Sequence, residues 1–290
     1  MALKSLADTF RLLVITPYVW ISGVFACLAI LLAYIIYLQF GLVFAVPVAV
    51  ITIFLIPAFF AGTYGVILEN HGSPSVYLKY VKFGYIRCLL PTIFVFVIGL
   101  IATGAIVYVL IHLGFDMGVY VYVAMLVALP FLFFFYFADM AALIGARGIF
   151  NSLRESTLRV MMGSFSITVF YLVNILVFFL MNFVFSAIIS FYAMGSMDFL
   201  MNLSDAEIIS MGQDELMALA QTSMDTFFAS QTAVTASLIA VSVCALFFIP
   251  FFSTYKACFF KRLITTVPAA IKKIEEDGEY DSKGRWFKYK

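Results

Sequence analysis

Six long apolar stretches are the feature of this sequence that most constrains its fold. They cover about 18–37, 43–68, 90–112, 119–146, 165–192 and 233–255. An α-helix needs roughly 20 consecutive apolar residues to cross the hydrocarbon core of a bilayer, so each stretch is long enough to span it. Only 11% of the chain is charged, whereas soluble domains are closer to about a quarter. The sequence therefore predicts an all-α integral membrane protein with six transmembrane helices and no separate soluble domain.

The positions of the basic residues indicate how these helices are oriented. All 17 Lys and Arg lie in the N-terminal segment, in the loops at 69–88 and 147–159, or after residue 255. The turns at 38–42 and 113–118 and the loop at 193–232 contain no Lys or Arg. Cytoplasmic loops carry an excess of Lys and Arg. We therefore expect a multi-pass protein of the cell membrane whose N- and C-termini are both cytoplasmic.

Three basic segments also have apolar residues at helical spacing. They lie at 1–16, 75–88 and 148–162, and Pro17 and Pro91 are expected to end the first two. A helix with one basic face and one apolar face is typical of the membrane interface. We expect each segment to be a cytoplasmic amphipathic surface helix. The side chains expected to contact anionic lipid headgroups are Lys4, Arg11, Lys79, Lys82 and Arg87.

A weak internal repeat organises the chain. Each amphipathic segment precedes a pair of apolar stretches that we expect to form a helical hairpin, and a proline lies in the second arm of each pair, at Pro57, Pro130 and Pro250. We interpret residues 1–290 as a single membrane domain of three such units. The predicted units are 1–68, 69–146 and 147–263; the third has an outer insertion at 193–232, and a cytoplasmic tail follows at 264–290.

Polar residues within the apolar stretches are the candidate functional residues. Asp139 is the only acid within a membrane stretch, and it lies eight residues before Arg147. It could form an ion pair with Arg147 or with a nearby arginine, Arg154 or Arg159, or it could relay a proton or cation. Asn174 and Asn182 in the fifth stretch could join helices by hydrogen bonds or line a polar path.

The cysteines and the methionines of the outer loop are expected to have packing roles. Cys27, Cys88, Cys244 and Cys258 have no metal-ligand spacing, so we expect them to act as small apolar residues. Met194, Met197 and Met201 recur at helical spacing in the outer loop, which would suit either Cu(I) binding or packing at the membrane rim. The loop contains no Cys or His, which favours packing. No catalytic motif is present, so we expect neither enzymatic activity nor a cofactor.

Two segments carry a resemblance to a known group of proteins. They read IPAFFAGTYGVILENHGSPSVYLKYVKFGYIRCLLP and LPFLFFFYFADMAALIGARGIFNSLRESTLRVMMGSF. These resemble stand-alone archaeal and bacterial six-span membrane proteins of unknown function, and they are similar to the membrane domain fused to some glycerophosphodiester phosphodiesterases. In that group an acid at a helix end precedes a glycine turn and a basic helix, features that Asp139, Gly148, Arg154 and Arg159 would supply here. The resemblance implies a membrane fold and no catalytic residue.

Taken together, these patterns favour a non-enzymatic polytopic membrane protein. Its expected partners are anionic membrane lipids at the cytoplasmic face and either another protein or a second copy of itself, with no nucleic acid. The alternative is a small permease that uses Asp139 and the face of the fifth helix carrying Asn174 and Asn182. A polar cavity between kinked helices would favour the permease, and a tightly packed interior would favour the first interpretation.

Overall fold

The described part of the chain is helical apart from one short strand pair. The computed structural model describes residues 1–115, 117–145, 148–196, 212–266, 278–280 and 286–288. The elements are α1 (Ala2–Ile15), a 3₁₀ turn (Pro17–Trp20), α2 (Ile21–Phe40), α3 (Leu42–Glu69), α4 (Pro74–His112), α5 (Met117–Phe135), α6 (Ala138–Gly145), α7 (Ile149–Met162), α8 (Ser164–Ser196), α9 (Gln213–Phe228), α10 (Gln231–Thr266), β1 (Gly278–Tyr280) and β2 (Trp286–Lys288). The two strands pair antiparallel, with Gly278 opposite Lys288.

Six helical stretches among the described residues are long and apolar enough to cross a membrane, which confirms the predicted class. They are Pro17–Phe40, Leu42–Glu69, Pro74–His112, Gly118–Gly145, Phe165–Gly195 and Gln231–Thr266. In the third and fifth, none of the most apolar window is buried by the rest of the chain (0% in each). Apolar surface on that scale is stable when lipid, not water, surrounds it.

The chain forms two compact units, each assembled from separate segments. Unit 1 comprises Met1–Val19, Phe54–Leu172 and Phe251–Lys290. Unit 2 comprises Trp20–Ile53 and Val173–Pro250. Helices α3, α8 and α10 therefore contribute residues to both units. The threefold repeat that the sequence suggested stays a prediction, because these units are defined by packing and not by sequence similarity.

Pro91 does not end a helix, contrary to the sequence prediction. It lies inside α4, which is continuous over 39 residues. At 1.5 Å per residue α4 is about 58 Å long, well beyond a hydrocarbon core of about 30 Å. The predicted second surface helix is therefore the first part of one long helix. Its start is as expected, since Ser73 is the N-cap and its side chain accepts a hydrogen bond from the Val76 amide at 3.3 Å.

The fourth predicted span is interrupted near its end. Helix α5 stops at Phe135, and α6 begins at Ala138 after a two-residue turn. A helix end leaves its last carbonyls without helical partners. Here Ser156 donates to the Phe134 carbonyl at 2.7 Å, and Tyr171 donates to the Phe133 carbonyl at 2.7 Å. Side chains from α7 and α8 thus stabilise the break that makes α6 a separate helix.

Unit 2 holds a close helix contact at a proline. Pro250 lies inside α10 and has no amide hydrogen, so the Leu246 carbonyl four residues earlier loses its helical donor. Gly23 of α2 is buried against this point, and a Cβ there would lie 2.5 Å from Pro250 Cγ, with the Leu246 oxygen also closer than 3.0 Å. Glycine permits this approach because it has no side chain. Elsewhere in unit 2, Phe227 of α9 packs with Ala193, Ala233 and Ala236.

Replacing this glycine tests the contact. We expect Gly23→Ala to lower the free energy of unfolding by about 1–3 kcal/mol, the usual cost of overpacking, because both neighbouring groups are rigid. Thermal unfolding of the purified protein in detergent measures this change. The matched control is Gly104→Ala in α4, where a Cβ meets nothing within 4 Å. Equal melting temperatures for the two variants would contradict the packing.

Candidate functional site

A buried ion pair in unit 1 is the most distinctive chemical feature among the described residues. Lys256 Nζ lies 2.7 Å from Asp139 Oδ2, and each residue is only 8% exposed. Lys256 belongs to α10, and Asp139 is the second residue of α6. Helix α10 extends to Thr266, beyond the predicted end of the sixth span at 255. This extension places Lys256 inside the protein and not in a basic tail.

The carboxylate of Asp139 has a donor for each oxygen. Tyr64 of α3 donates its hydroxyl hydrogen to Oδ2 at 3.1 Å, beside the ammonium of Lys256. The other oxygen, Oδ1, accepts from the Met140 amide at 2.7 Å. That amide lies in the first turn of α6, where backbone donors lack helical acceptors. The break between α5 and α6 therefore creates one of the donors that hold Asp139.

The lysine is also well surrounded. Its ammonium lies 4.4 Å from the centre of the Tyr136 ring and 5.8 Å from that of Tyr64, both within cation–π range. Cys88 of α4 completes the cluster, with Sγ 3.8 Å from the Asp139 carbonyl oxygen. Four helices and a turn thus supply the charge pair and the groups around it. We refer to Tyr64, Cys88, Tyr136, Asp139 and Lys256 as the buried polar cluster.

Aromatic packing surrounds the cluster and keeps its environment apolar. Phe137, directly between Tyr136 and α6, is fully buried and stacks on Phe260 with ring centres 5.3 Å apart. Phe170 stacks on Phe259 at 4.4 Å and on Tyr255 at 4.7 Å. In such surroundings an unpaired charge is very costly, whereas a paired and hydrogen-bonded one is tolerated. The arrangement can therefore hold α3, α6 and α10 together at fixed positions.

The arginines expected near Asp139 have other roles in the structure. Arg159 is 8% exposed and binds Glu155, one turn earlier in α7, through Nε at 2.8 Å and through Nη2. Its guanidinium carbon lies 5.9 Å from the centre of the Phe260 ring. Arg154 is exposed on the same helix. Arg147 lies outside the described residues, so the predicted pairing with it is not addressed, and the partner seen for Asp139 is Lys256.

The two asparagines belong to unit 2. Asn182 is exposed on α8 and donates its side-chain N–H to the Phe178 carbonyl of the same helix at 2.8 Å. Asn174 lies about two turns earlier on the same helix and is half-buried. The structure does not bring either one into the buried polar cluster. A shared polar path with Asp139 stays a prediction.

The residues predicted to contact headgroups lie on α1 and on the first part of α4. Lys4, Arg11, Lys79 and Lys82 are exposed, and Arg87 is half-buried with its guanidinium 3.6 Å from the centre of the Phe83 ring. Lys79 also pairs with Glu69 at 2.8 Å. This exposed pair is screened by solvent and contributes little to stability.

The described cysteines do not belong to a metal-binding cluster of His, Cys, Asp or Glu side chains. Cys88, Cys244 and Cys258 are buried, and Cys27 is half-buried. Among the described residues no group of three or more His, Cys, Asp or Glu could hold a metal ion. Met197, Met201 and the rest of 197–211 in the outer insertion lie outside the described residues.

Sequence reasoning missed the partner of Asp139 because it ended the sixth span at residue 255 and so placed Lys256 just outside the membrane helix. One signal was available in the sequence. Apolar residues continue at helical spacing after Lys256, at Ala257, Phe260 and Leu263, with no Gly or Pro to stop the helix. A helix of that length would have carried Lys256 into the core.

No protein-family model, no curated protein and no solved structure matches this chain. The resemblance to the membrane domain of glycerophosphodiester phosphodiesterases therefore has no support from these comparisons and stays a hypothesis. The function is therefore inferred from the contacts and charges of the described residues.

The buried ion pair makes a sharp stability prediction. We expect Lys256→Met to lower the free energy of unfolding by about 3–5 kcal/mol, because it leaves the Asp139 carboxylate buried without a counter-charge. The double variant Lys256→Met with Asp139→Asn is expected to recover much of that loss. A double-mutant cycle from thermal unfolding in detergent measures the coupling.

The exposed pair supplies the control for this cycle. Lys79→Met removes one partner of the Lys79–Glu69 pair, whose side chains are 64% and 32% exposed, and its effect is expected to be far smaller. Additive effects of the two substitutions at positions 139 and 256 would show that the buried pair has no energetic coupling.

Proposed function

We propose that this chain is a non-enzymatic polytopic membrane protein that acts through contact with anionic lipids, as an accessory or partner subunit in the membrane. One observation carries the proposal: exposed basic side chains stand beside exposed large apolar side chains on α1, on the first part of α4 and on α7. A helix that presents both to its surroundings suits the boundary between headgroups and acyl chains.

Helix α1 is the clearest case. Its buried residues are small, namely Ala2, Ser5 and Thr9. Several of its large apolar residues are exposed instead, and Val14 is 87% exposed. Lys4 and Arg11 are exposed on the same helix. The bulky apolar residues are thus available to acyl chains while the basic residues reach headgroups.

The other two segments repeat this pattern. At the start of α4, Lys82 is exposed next to Phe83, which is 50% exposed. On α7, Arg154 is exposed one turn from Phe150, which is 73% exposed. Each Lys or Arg near an anionic surface contributes up to about 1 kcal/mol to membrane attraction. Together the three segments would form a basic layer along one face of the membrane.

We infer the orientation from the same charges. The proposal places all three basic segments and both termini in the cytoplasm, with the spans paired in three hairpins in the cell membrane. The excess of Lys and Arg on one side supports this arrangement. Under it, the acidic segment between α8 and α9 faces the opposite side.

The buried polar cluster supports a structural role and not a catalytic one. Its carboxylate is fully engaged by Lys256, Tyr64 and the Met140 amide. A general acid or base needs access to a substrate within hydrogen-bond reach. The cluster instead joins four helices in an aromatic environment, as expected of a structural contact inside the protein.

A small permease remains the second candidate, and one observation favours it. Ionisable residues within membrane helices often mark ion pathways, and Asp139 and Lys256 both lie within candidate spans. A relay requires a group that exchanges its proton. The double variant Lys256→Met with Asp139→Asn has no titratable pair, so transport by that variant in proteoliposomes would rule out a relay through this cluster.

Lipid retention tests the first proposal. We expect the double variant Lys82→Gln with Arg154→Gln to retain phosphatidylglycerol about five- to tenfold less well than the parent protein, since two headgroup attractions are lost. Native mass spectrometry of the protein in mixed phosphatidylglycerol and phosphatidylcholine micelles measures retention.

The control for this experiment removes a charge from the opposite side. Asp225→Asn changes an exposed residue of α9 and is expected to leave phosphatidylglycerol retention unchanged. If the basic double variant also retains the lipid as the parent does, the proposed headgroup contact is wrong.

Cysteine labelling tests the orientation. In a variant without the four native cysteines, His71→Cys is expected to be protected from an impermeant maleimide added to whole cells, because residue 71 is cytoplasmic in the proposal. Phe115→Cys, in the turn after α4, is expected to react. Both positions are exposed, so accessibility differs only by side. The reverse pattern would invert the arrangement.

A further inference from the structure

Unit 1 contains an open cleft whose chemistry the lipid-contact proposal does not specify. It has a volume of about 670 Å³ and lies between α1, the C-terminal end of α3 and the last turns of α10. Leu12, Ile15 and Val66 supply apolar wall, and Arg11, Lys261 and Arg262 supply charge. A cavity of this size is within the usual range for small-molecule sites.

Two of the cationic side chains are held by the protein. Arg262 donates to the Asp8 carboxylate through Nε at 3.0 Å and through Nη2, so its charge is balanced. Lys261 donates to the Ile67 carbonyl, to the Leu68 carbonyl at 3.1 Å and to Asn70 Oδ1 at 2.7 Å. These acceptors are neutral. Lys261 thus caps the end of α3 while its positive charge has no anion among these contacts.

Arg11 and His71 add to this charge. Arg11 is exposed, and within the described residues it makes no ion pair. His71 is exposed on the opposite wall, in the loop that follows α3. Asp8 is the one acid of the described lining, against three basic residues and a histidine. The cleft therefore has an excess of positive charge that an anion would neutralise.

The arrangement of the positively charged groups in the cleft favours a phosphate group. The Arg11 guanidinium offers several N–H donors in one plane, and arginine pairs strongly with phosphate and carboxylate groups. Lys261 adds a point charge on another wall. The neighbouring surface of α1 is apolar and exposed at Phe10 and Ile15, at 57% and 63%. A ligand with a phosphate and an apolar chain would satisfy both parts of the surface.

We propose that this cleft binds a phosphate-bearing ligand, with Arg11 as its recognition residue, Lys261 adding positive charge without a direct hydrogen bond, and His71 at the rim. This inference rests on the proposed lipid contact and sharpens it from a diffuse basic layer to one saturable site. The phosphate comes from an anionic phospholipid headgroup or from a soluble phosphate, and the two sources share the same chemistry at the cleft.

Binding stoichiometry tests the site. The purified full chain is titrated with phosphatidylglycerol in phosphatidylcholine nanodiscs or micelles, and tightly bound lipid is counted by native mass spectrometry. The parent protein is expected to hold one phosphatidylglycerol tightly above a weaker background. Arg11→Gln is expected to weaken this tight binding about tenfold, the effect of one strong charge-assisted contact. Arg11 has no protein partner among the described residues, so the variant is expected to fold.

Lys4→Gln is the matched control. Lys4 is exposed on the same helix but does not line the cleft. Because Lys4 is one of the proposed headgroup contacts, Lys4→Gln is expected to lower the weaker background binding of phosphatidylglycerol and to keep the single tight site. If Arg11→Gln and Lys4→Gln change binding equally, the lipid contact is diffuse: the general proposal stands and the cleft proposal fails. If neither the parent nor any variant prefers phosphatidylglycerol to phosphatidylcholine and inorganic phosphate does not bind, both proposals fail.

A second arm separates the two sources of phosphate. Inorganic phosphate at millimolar concentration is added to the protein in phosphatidylcholine alone, and binding is followed by isothermal titration calorimetry for the parent and for Arg11→Gln. Binding that Arg11→Gln removes supports the cleft and assigns a soluble phosphate as ligand. Tight phosphatidylglycerol binding that inorganic phosphate does not displace supports the cleft and assigns the lipid.

Discussion

The Asp139–Lys256 ion pair is the interaction on which the packing of unit 1 depends most. Two charges in an aromatic interior are stable only if they neutralise each other and if their remaining hydrogen-bonding capacity is used. Both conditions are met, since Tyr64 and the Met140 amide complete the carboxylate and the Tyr136 ring faces the ammonium. The pair holds α6 against α10, because separating them would leave a buried charge without a partner, and the Tyr64 hydrogen bond adds α3.

The helix break before α6 supplies part of the environment of this ion pair. A continuous fourth helix would have no open amide at Met140, since that donor would bind a carbonyl one turn earlier. The turn at Tyr136 and Phe137 starts a new helix, and its first turn offers the amide to Asp139. The same turn places the Tyr136 ring against Lys256 and the Phe137 ring against Phe260. Ser156 and Tyr171 satisfy the carbonyls that the break exposes.

The proposed lipid contacts follow from the side chains that remain exposed after the helices of the interior have packed. The fully buried residues of helix α1 are small and several of its bulky apolar side chains are exposed, which is the reverse of a surface helix on a soluble protein. The charged residues of α1 have two different roles. Arg262 of α10 neutralises Asp8 of α1, whereas Arg11 remains available at the cleft. The same helix can therefore attach to the protein core and contact phosphate at the membrane surface.

Much of the helical layout could be predicted from the sequence. The length of an apolar stretch and the polar residues that bound it are local properties of the chain. The extents of α1, α3 and α7 agree with the predicted segments to within a few residues. The errors share one cause. Pro91 and Lys256 were taken as ends of helices, yet α4 and α10 continue through them. Prolines are tolerated in membrane helices when neighbouring groups satisfy the backbone, and a lysine is tolerated when it finds an acid.

The sequence by itself determined the membrane class, the number of candidate spans and Asp139 as the one acid within them, since these depend on composition along short stretches. Only the tertiary structure decided that Lys256 is its partner, that Tyr64 shares the carboxylate, and that Arg11 and Lys261 line one cleft. Those residues are far apart in the chain, and their contacts depend on how helices pack. A short stretch of sequence does not specify which distant residues it will contact in the folded protein.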